Sequence, residues 1–274
     1  MSHPEEHPLF DIPEDKDIKI WRFMDFTKYV SLLESKRLFF SRADRLGDPF
    51  EGSISKRSMA ARKYIAEKFG REVQGVNSAL VELAGFEGKL WDSVEADTYH
   101  LRWNAEWMFI SCWHMNPVES SAMWQLYAPS GHGVALQTTY RKLRESLPND
   151  VYIGKVQYIC YEKDLVDLKN AFSPFICKRE SFSHEAELRA IHHDSPKYTK
   201  RDENTGEEVR AAAHHVRNSE GGKSFAVDLD HLVENLYVSP VAESWYAELV
   251  TSVTQRYSCT FPVNQSSLDA TPIF

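Results

Sequence analysis

FISCWHMNPVESSAMWQLYA, residues 109–128, is the stretch on which the reading of this chain turns. EWMFISCW (106–113) is an apolar run that reads as a strand, and it ends on a serine, a cysteine and a tryptophan. A polar break follows. ESSAMWQLYA (119–128) then reads as a helix carrying Met123, Trp124 and Tyr127, with Pro117 just outside its start. Two uses fit such a unit. Its aromatics fill a core, or they floor a pocket for a flat, polar ligand.

Working outward, IKIWRF (18–23) is a short strand, with Ile18, Ile20 and Arg22 alternating against Lys19, Trp21 and Phe23. Asp25 caps a helix whose Phe26, Tyr29, Val30 and Leu33 share one face. RLFFS (37–41) is the next strand, and RADRLGDPFEG (42–52) a loop fixed by Gly47 and Pro49. Residues 53–104 read as mostly helical, with MAARKYIAEKF the clearest segment. Downstream, GVALQTT (133–139) and VYIGKVQYI (151–159) are strands. HEAELRAIH (184–192) alternates cleanly, Ala186, Leu188 and Ala190 against Glu185, Glu187 and Arg189. Residues 194–223 form a polar insertion, a long loop or protruding hairpin. SFAVDLD (224–230) and LYVSP (236–240) complete the sheet, and AESWYAELVTSVTQRY (242–257) is an amphipathic helix. Strands and helices alternate irregularly, with no βαβ rhythm and no GxGxxG loop, so the fold class is α+β. One domain over 18–274, after a flexible segment at 1–17, accommodates all of it.

The chain has 274 residues, 42% hydrophobic and 12% aromatic, enough to bury a substantial core. No apolar run is long enough to cross a bilayer, and the opening MSHPEEHPLFDIPEDKD lacks the features of a signal peptide. A cytoplasmic protein is expected, with its four dispersed cysteines reduced. A net charge of −8 gives no strong nucleic-acid signal. The eleven histidines include pairs at 192–193 and 214–215, yet no HExxH or Cys/His cluster appears, and no metal is expected.

Four constellations carry possible chemistry. On a strand, Glu185, Glu187 and Arg189 would share one face at about 6–7 Å steps, either as a solvated sheet face or opposite a cationic ligand group. Arg22 could fork onto a phosphate, or lie over an aromatic at the surface. Ser111 could bond a ribose or amide. It has no GxSxG context and no identifiable His–Asp pair, so it is not read as a nucleophile. In the 42–52 loop, Asp48 could serve a ligand, though capping its own turn explains it without one.

LFFSRADRLGDPFEG, SCW…AMWQLYAPSGHGVALQ, ICKRESFSHEAELRAI, LYVSP and VNQSSL form an ordered series from about residue 20 to about 268. The series resembles a bacterial family catalogued as a domain of unknown function and marked by FNDPFE, MWxxYA and ExExR; Gly47 stands where that family commonly has Asn. More distantly, the chain is similar to ADP-ribosyltransferases of the Arg–Ser–Glu type. That resemblance implies a split, bent, mostly antiparallel sheet with flanking helices, gripping NAD as substrate. It implies that Arg22 binds the NAD phosphates, that Ser111 supports the nicotinamide ribose, that Glu187 hydrogen-bonds that ribose and stabilises the charge formed there, and that Glu185 positions or deprotonates the acceptor. Ser41, Trp113, Trp124, Tyr127 and Arg189 would complete the NAD contacts, Trp113 or Tyr127 stacking on nicotinamide. Ile110-Ser111-Cys112 replaces the usual Ser-Thr-Ser, and no glycine follows Arg22. The function implied is an ADP-ribosyltransferase or NAD glycohydrolase of bacterial conflict or stress response. Two other classes stay open: a non-catalytic protein binding a nucleotide or partner in the same cleft, and a metal-dependent hydrolase or nuclease using Glu185, Glu187 and Asp48.

Overall fold

A computed structural model of the chain describes residues 7–69, 93–167, 170–201 and 208–270. β1 (Lys19–Asp25) runs into α1 (Phe26–Ser35), whose N-cap is Asp25, accepting from the Lys28 backbone N–H at 2.8 Å. Lys36 ends that helix in the left-handed region, at φ 49°, and β2 (Arg37–Arg42) follows. α2 (Lys56–Phe69) and α3 (Ser93–Ala105) occupy part of the stretch expected to be helical; residues 70–92 lie outside the described residues. The opening quotation becomes β3 (Met108–Met115) and α4 (Ser121–Tyr127), the latter capped by Ser120. Then come β4 (Gly133–Thr139), α5 (Tyr140–Glu145), β5 (Val151–Lys155), β6 (Gln157–Ile159), α6 (Ser173–Ile176) and β7 (Cys177–Arg179). β8 (Glu187–His193) precedes the pair β9 (Lys197–Arg201) and β10 (Glu208–Ala212), which makes part of the polar insertion a hairpin. β11 (Gly222–Ala226), α7 (Leu229–Leu232), β12 (Asn235–Val238), α8 (Ser244–Arg256) and β13 (Val263–Gln265) complete the chain.

The main sheet is mostly antiparallel, and it forks at β3. One edge of β3 pairs with β8 along its length, from Met108↔His193 to His114↔Glu187, and β5 continues from β8. The other edge serves two strands in succession. β2 pairs at Phe109 and Ile110, while β1 pairs at His114 and Met115. Beyond β2 lies β11; beyond β1 lie β4, β12 and, in parallel, β13. Between the branches, residues 111–113 have no strand on that edge, and a cleft opens there.

The principal core fills one side of this sheet. Ile20, Met24, Leu38, Phe40, Trp113, Leu136 and Leu188 meet Tyr29 and Leu33 of α1 and Tyr246 and Val250 of α8. Each fully buried side chain of this size contributes about 1.5–3 kcal/mol. Phe10, Met108, Ile110, Phe175 and Ile191 form a second cluster, and Trp21, Phe23, Met123, Trp124 and Ala135 a third. Residues 1–6 of the segment expected to be flexible over 1–17 lie outside the described residues, and within 7–17 Phe10 is anchored. It is buried against Tyr152 and Phe172, with ring centroids 5.5 and 5.4 Å away, and the Lys155 N–H donates to the Asp11 carbonyl at 2.7 Å. A polar, acidic composition concealed one apolar anchor.

Candidate functional site

A cavity of about 1020 Å³ occupies the fork. That is the upper end of small-molecule sites, which run to about 1,000 Å³. Arg22, Trp113, Cys112, His114, Tyr127, Glu185 and Glu187 line it, as do Lys28, Ser31 and Ser35 of α1, Arg37, Phe39 and Ser41 of β2, and Asp48 and Glu51 of the following loop.

Arg22 bridges the fork. Its Nη1 donates to Ser111 Oγ at 2.8 Å on β3, and its Nη2 to the Phe39 carbonyl at 2.9 Å on β2. The guanidinium also lies 5.8 Å from the Trp113 ring centroid. No carboxylate pairs with it among the described residues, and burial pulls its pKa down to about 10. A guanidinium without a counter-ion on the wall of a cavity has a charge and a donor geometry that suit an anion.

Ser111 stands elsewhere. Residues directly opposite in an antiparallel pair share a face, so the register sets Ser111 and Trp113 with Ala190 and Leu188, and Cys112 and His114 with Arg189 and Glu187. Ser111 and Glu187 therefore project from opposite faces. Ser111 is 1% exposed and does not line the cavity; its hydroxyl accepts from Arg22 and from Trp113 Nε1, the latter at 3.1 Å. It positions the arginine.

The two glutamates are brought together by a device that strand alternation does not contain. Glu185 closes a 3-10 turn over Glu180–Glu185, and Ala186 adopts the left-handed conformation, φ 39°, before β8 begins. The expected strand across 184–192 thus starts only at Glu187. Both carboxylates turn onto Lys178 of β7, whose Nζ lies 2.6 Å from Glu185 Oε2 and 2.9 Å from Glu187 Oε2. Glu51 joins them, 3.6 Å from Lys178 and 2.5 Å from Arg189. Arg189 also holds Glu187 at 2.7 Å and donates to the Phe175 carbonyl at 2.7 Å. The face is a buried charge cluster, not a solvated one: Glu187 is 3% exposed and Arg189 1%.

Arg189, expected to contact a dinucleotide, is spent on internal partners and is not among the residues that line the cavity. Trp124 is likewise not among the lining residues. It sits in the third core cluster, edge-on to Phe23 at 5.0 Å, and donates to Glu119 at 3.1 Å. Trp113 borders the cavity, but at 1% exposure it has no face free for stacking. Tyr127, 45% exposed, and Ser41 remain available on the wall. Asp48 caps its own turn, accepting from the Phe50 N–H at 3.1 Å, and is gripped by Arg179 at 2.9 and 3.0 Å.

The electrostatics follow from this packing. Burial pushes the Glu187 carboxyl up, and the charge and hydrogen bonds of Arg189, with Lys178, outweigh it, leaving the pKa at about 2. For Glu51 burial prevails and the pKa is raised. His114 Nδ1–H donates to the Glu185 carbonyl, 2.5 Å away; burial lowers its pKa, and its Nε2 has no partner among the described residues. Lys178, Glu51 and Phe39 belong to the site without being among the residues that the sequence motifs single out. The basic pair in ICKR and the outward position of Phe39 in RLFFS are the local signals that point to two of them. Among the described residues no group of three or more His, Cys, Asp or Glu side chains could hold a metal ion, and no helix is long and apolar enough to cross a membrane.

No protein-family model matches the chain. No curated protein matches it either. Among solved structures, the chain is similar to Thermus sp. 2.9 DarT in complex with ADP-ribosylated ssDNA, at 8% sequence identity and a TM-score of 0.38, over 94% of this chain and 97% of that one.

Proposed function

We propose that this protein is an NAD-dependent ADP-ribosyltransferase or NAD glycohydrolase that works in the fork of its sheet. One observation carries the reading: Arg22, a guanidinium without a counter-ion, lines the same cavity as the carboxylates of Glu185 and Glu187. A dinucleotide joins a pyrophosphate to a ribose that turns cationic when its nicotinamide leaves, and the cavity offers a cation for the first and carboxylates for the second. Arg22 binds the pyrophosphate, held in place by Ser111 and the Phe39 carbonyl. The C–N bond to nicotinamide breaks with its electron pair leaving on the ring nitrogen, and Glu187 stabilises the positive charge that develops on the ribose. Glu187 is ionised at neutral pH and fixed by Arg189 and Lys178, so little reorganisation accompanies the step. Glu185 borders the acceptor, which is water in the glycohydrolase and another molecule in the transferase. A role in bacterial conflict or stress response is the setting that best suits such chemistry.

The test is to incubate the pure protein with NAD and measure nicotinamide. Release is expected, with Glu187→Gln slower by on the order of 100-fold. No release, with or without cell extract, together with no NAD binding by calorimetry, retires the reading.

One observation favours a second reading, binding without turnover. Two cations, Lys178 and Arg189, already neutralise Glu187, and they weaken its pull on a ribosyl cation. A purely binding protein shows saturable uptake of NAD, no nicotinamide, and unchanged affinity in Glu187→Gln.

A further inference from the structure

β2 turns Arg37, Phe39 and Ser41 outward, and all three line the cavity. Phe39 is 48% exposed. A lone exposed aromatic needs no explanation; what lies beneath this one does. The register of β11 puts Ser224 directly across from Phe39 and Gly222 diagonally across. A Cβ on Gly222 would fall 2.4 Å from Phe39 Cζ and 2.7 Å from Cε2. The ring thus lies against backbone that carries no side chain. Gly221 seats Arg45 in the same manner, since a Cβ there would fall 2.9 Å from Arg45 Nη1. Two successive glycines therefore bed down an aromatic ring and a guanidinium side by side. The Phe39 carbonyl meanwhile accepts from Arg22. The result is a flat apolar surface among Arg22, Arg37 and Arg45, with Ser41 and Ser224 beside it, all on one cavity wall.

A flat π surface asks for a flat π ligand, and clustered guanidinium groups ask for phosphate. One chemical class has both within a single unit, a nucleotide. We propose that Phe39 is the stacking platform for the adenine of an adenine nucleotide, with Arg37 and Arg45 serving the phosphate side; resting on the reading above, this seats the adenosine half of NAD. Glu185, Glu187 and Tyr127 are left for the nicotinamide half.

Calorimetric titration of the full chain with AMP, NAD and nicotinamide mononucleotide tests the platform apart from the chemistry. In Phe39→Ala, affinity for AMP and for NAD falls roughly 10- to 100-fold, while affinity for nicotinamide mononucleotide is unchanged. Phe39→Trp retains AMP binding. Phe39→Leu keeps the apolar volume, loses the π face and binds AMP as poorly as the alanine variant. If AMP binding depends on Phe39 but no nicotinamide is released from NAD, the platform stands and the proposed reaction falls. If the wild type does not bind AMP, or Phe39→Ala binds it equally well, the platform is overturned. If a short oligodeoxyadenylate displaces AMP and NAD does not, the surface belongs to a nucleic-acid strand, and the assignment to the dinucleotide is overturned.

Discussion

Arg22 is held in a position that stability alone does not favour. A guanidinium drawn out of water without a counter-charge is costly, and its two hydrogen bonds repay only part of that. Arg22→Met is therefore expected to leave the melting temperature unchanged or raised while abolishing NAD binding, a split that thermal melts and calorimetry read together. Ser111→Ala behaves in the opposite sense. It strips an acceptor from both Arg22 and Trp113 Nε1, and buried donors left unpaired cost about 1–3 kcal/mol, which urea denaturation measures. Glu187 adds a pH signature. Its pKa is about 2 in the fold against an ordinary 4.5, so its contribution is fully present above about pH 4.5 and is lost as pH falls toward 2. Glu187→Gln should flatten the acid limb of stability across that window. IWRF and ExExR single out Arg22, Glu185 and Glu187 in the sequence, because charge between aromatics and paired carboxylates are local features. Their partners were not legible: Lys178 and Glu51 reach the glutamates only through the fold.

At the scale of single elements, caps and turns decide how the cavity wall is presented. α1 contributes Lys28, Ser31 and Ser35, and it depends on Asp25 at its start. Asp25→Ala should destabilise the protein by about 1 kcal/mol. Its other end is strained in a way that a substitution can relieve. Lys36 sits at φ 49°, where glycine carries no Cβ penalty, so Lys36→Gly should add about 0.5–1 kcal/mol in denaturant titrations. The Asp25 cap was readable because capping is a contact over three residues. The turn at Ala186 was not. HEAELRAIH has the period of a strand, and only the need to set Glu185 and Glu187 around one ammonium explains why the chain breaks that period with a left-handed alanine.

Across the whole molecule, charge is unevenly shared. The net value is −8, yet Arg22, Lys28, Arg37, Arg45 and Lys178 line one cavity against the four carboxylates of Asp48, Glu51, Glu185 and Glu187. An anionic ligand should bind more weakly as salt rises, because screening acts within about 8 Å at physiological ionic strength; calorimetry with NAD across a salt series checks this. Composition alone suggested no such concentration of positive charge, since a sum over the chain hides its distribution. Strand identities were similarly legible, as EWMFISCW and GVALQTT show, but strand order was not. That β1 and β2 share one edge of β3 depends on pairing between segments far apart in the chain.

That fork also sets a schedule for synthesis. A nascent polypeptide exposes Arg22 and Phe39 early, whereas Glu187, Gly222 and Ser224 leave the ribosome late. Until they do, β3 has no partner on its long edge and Phe39 has no glycine to rest on. The cleft is therefore complete only after translation has passed β11.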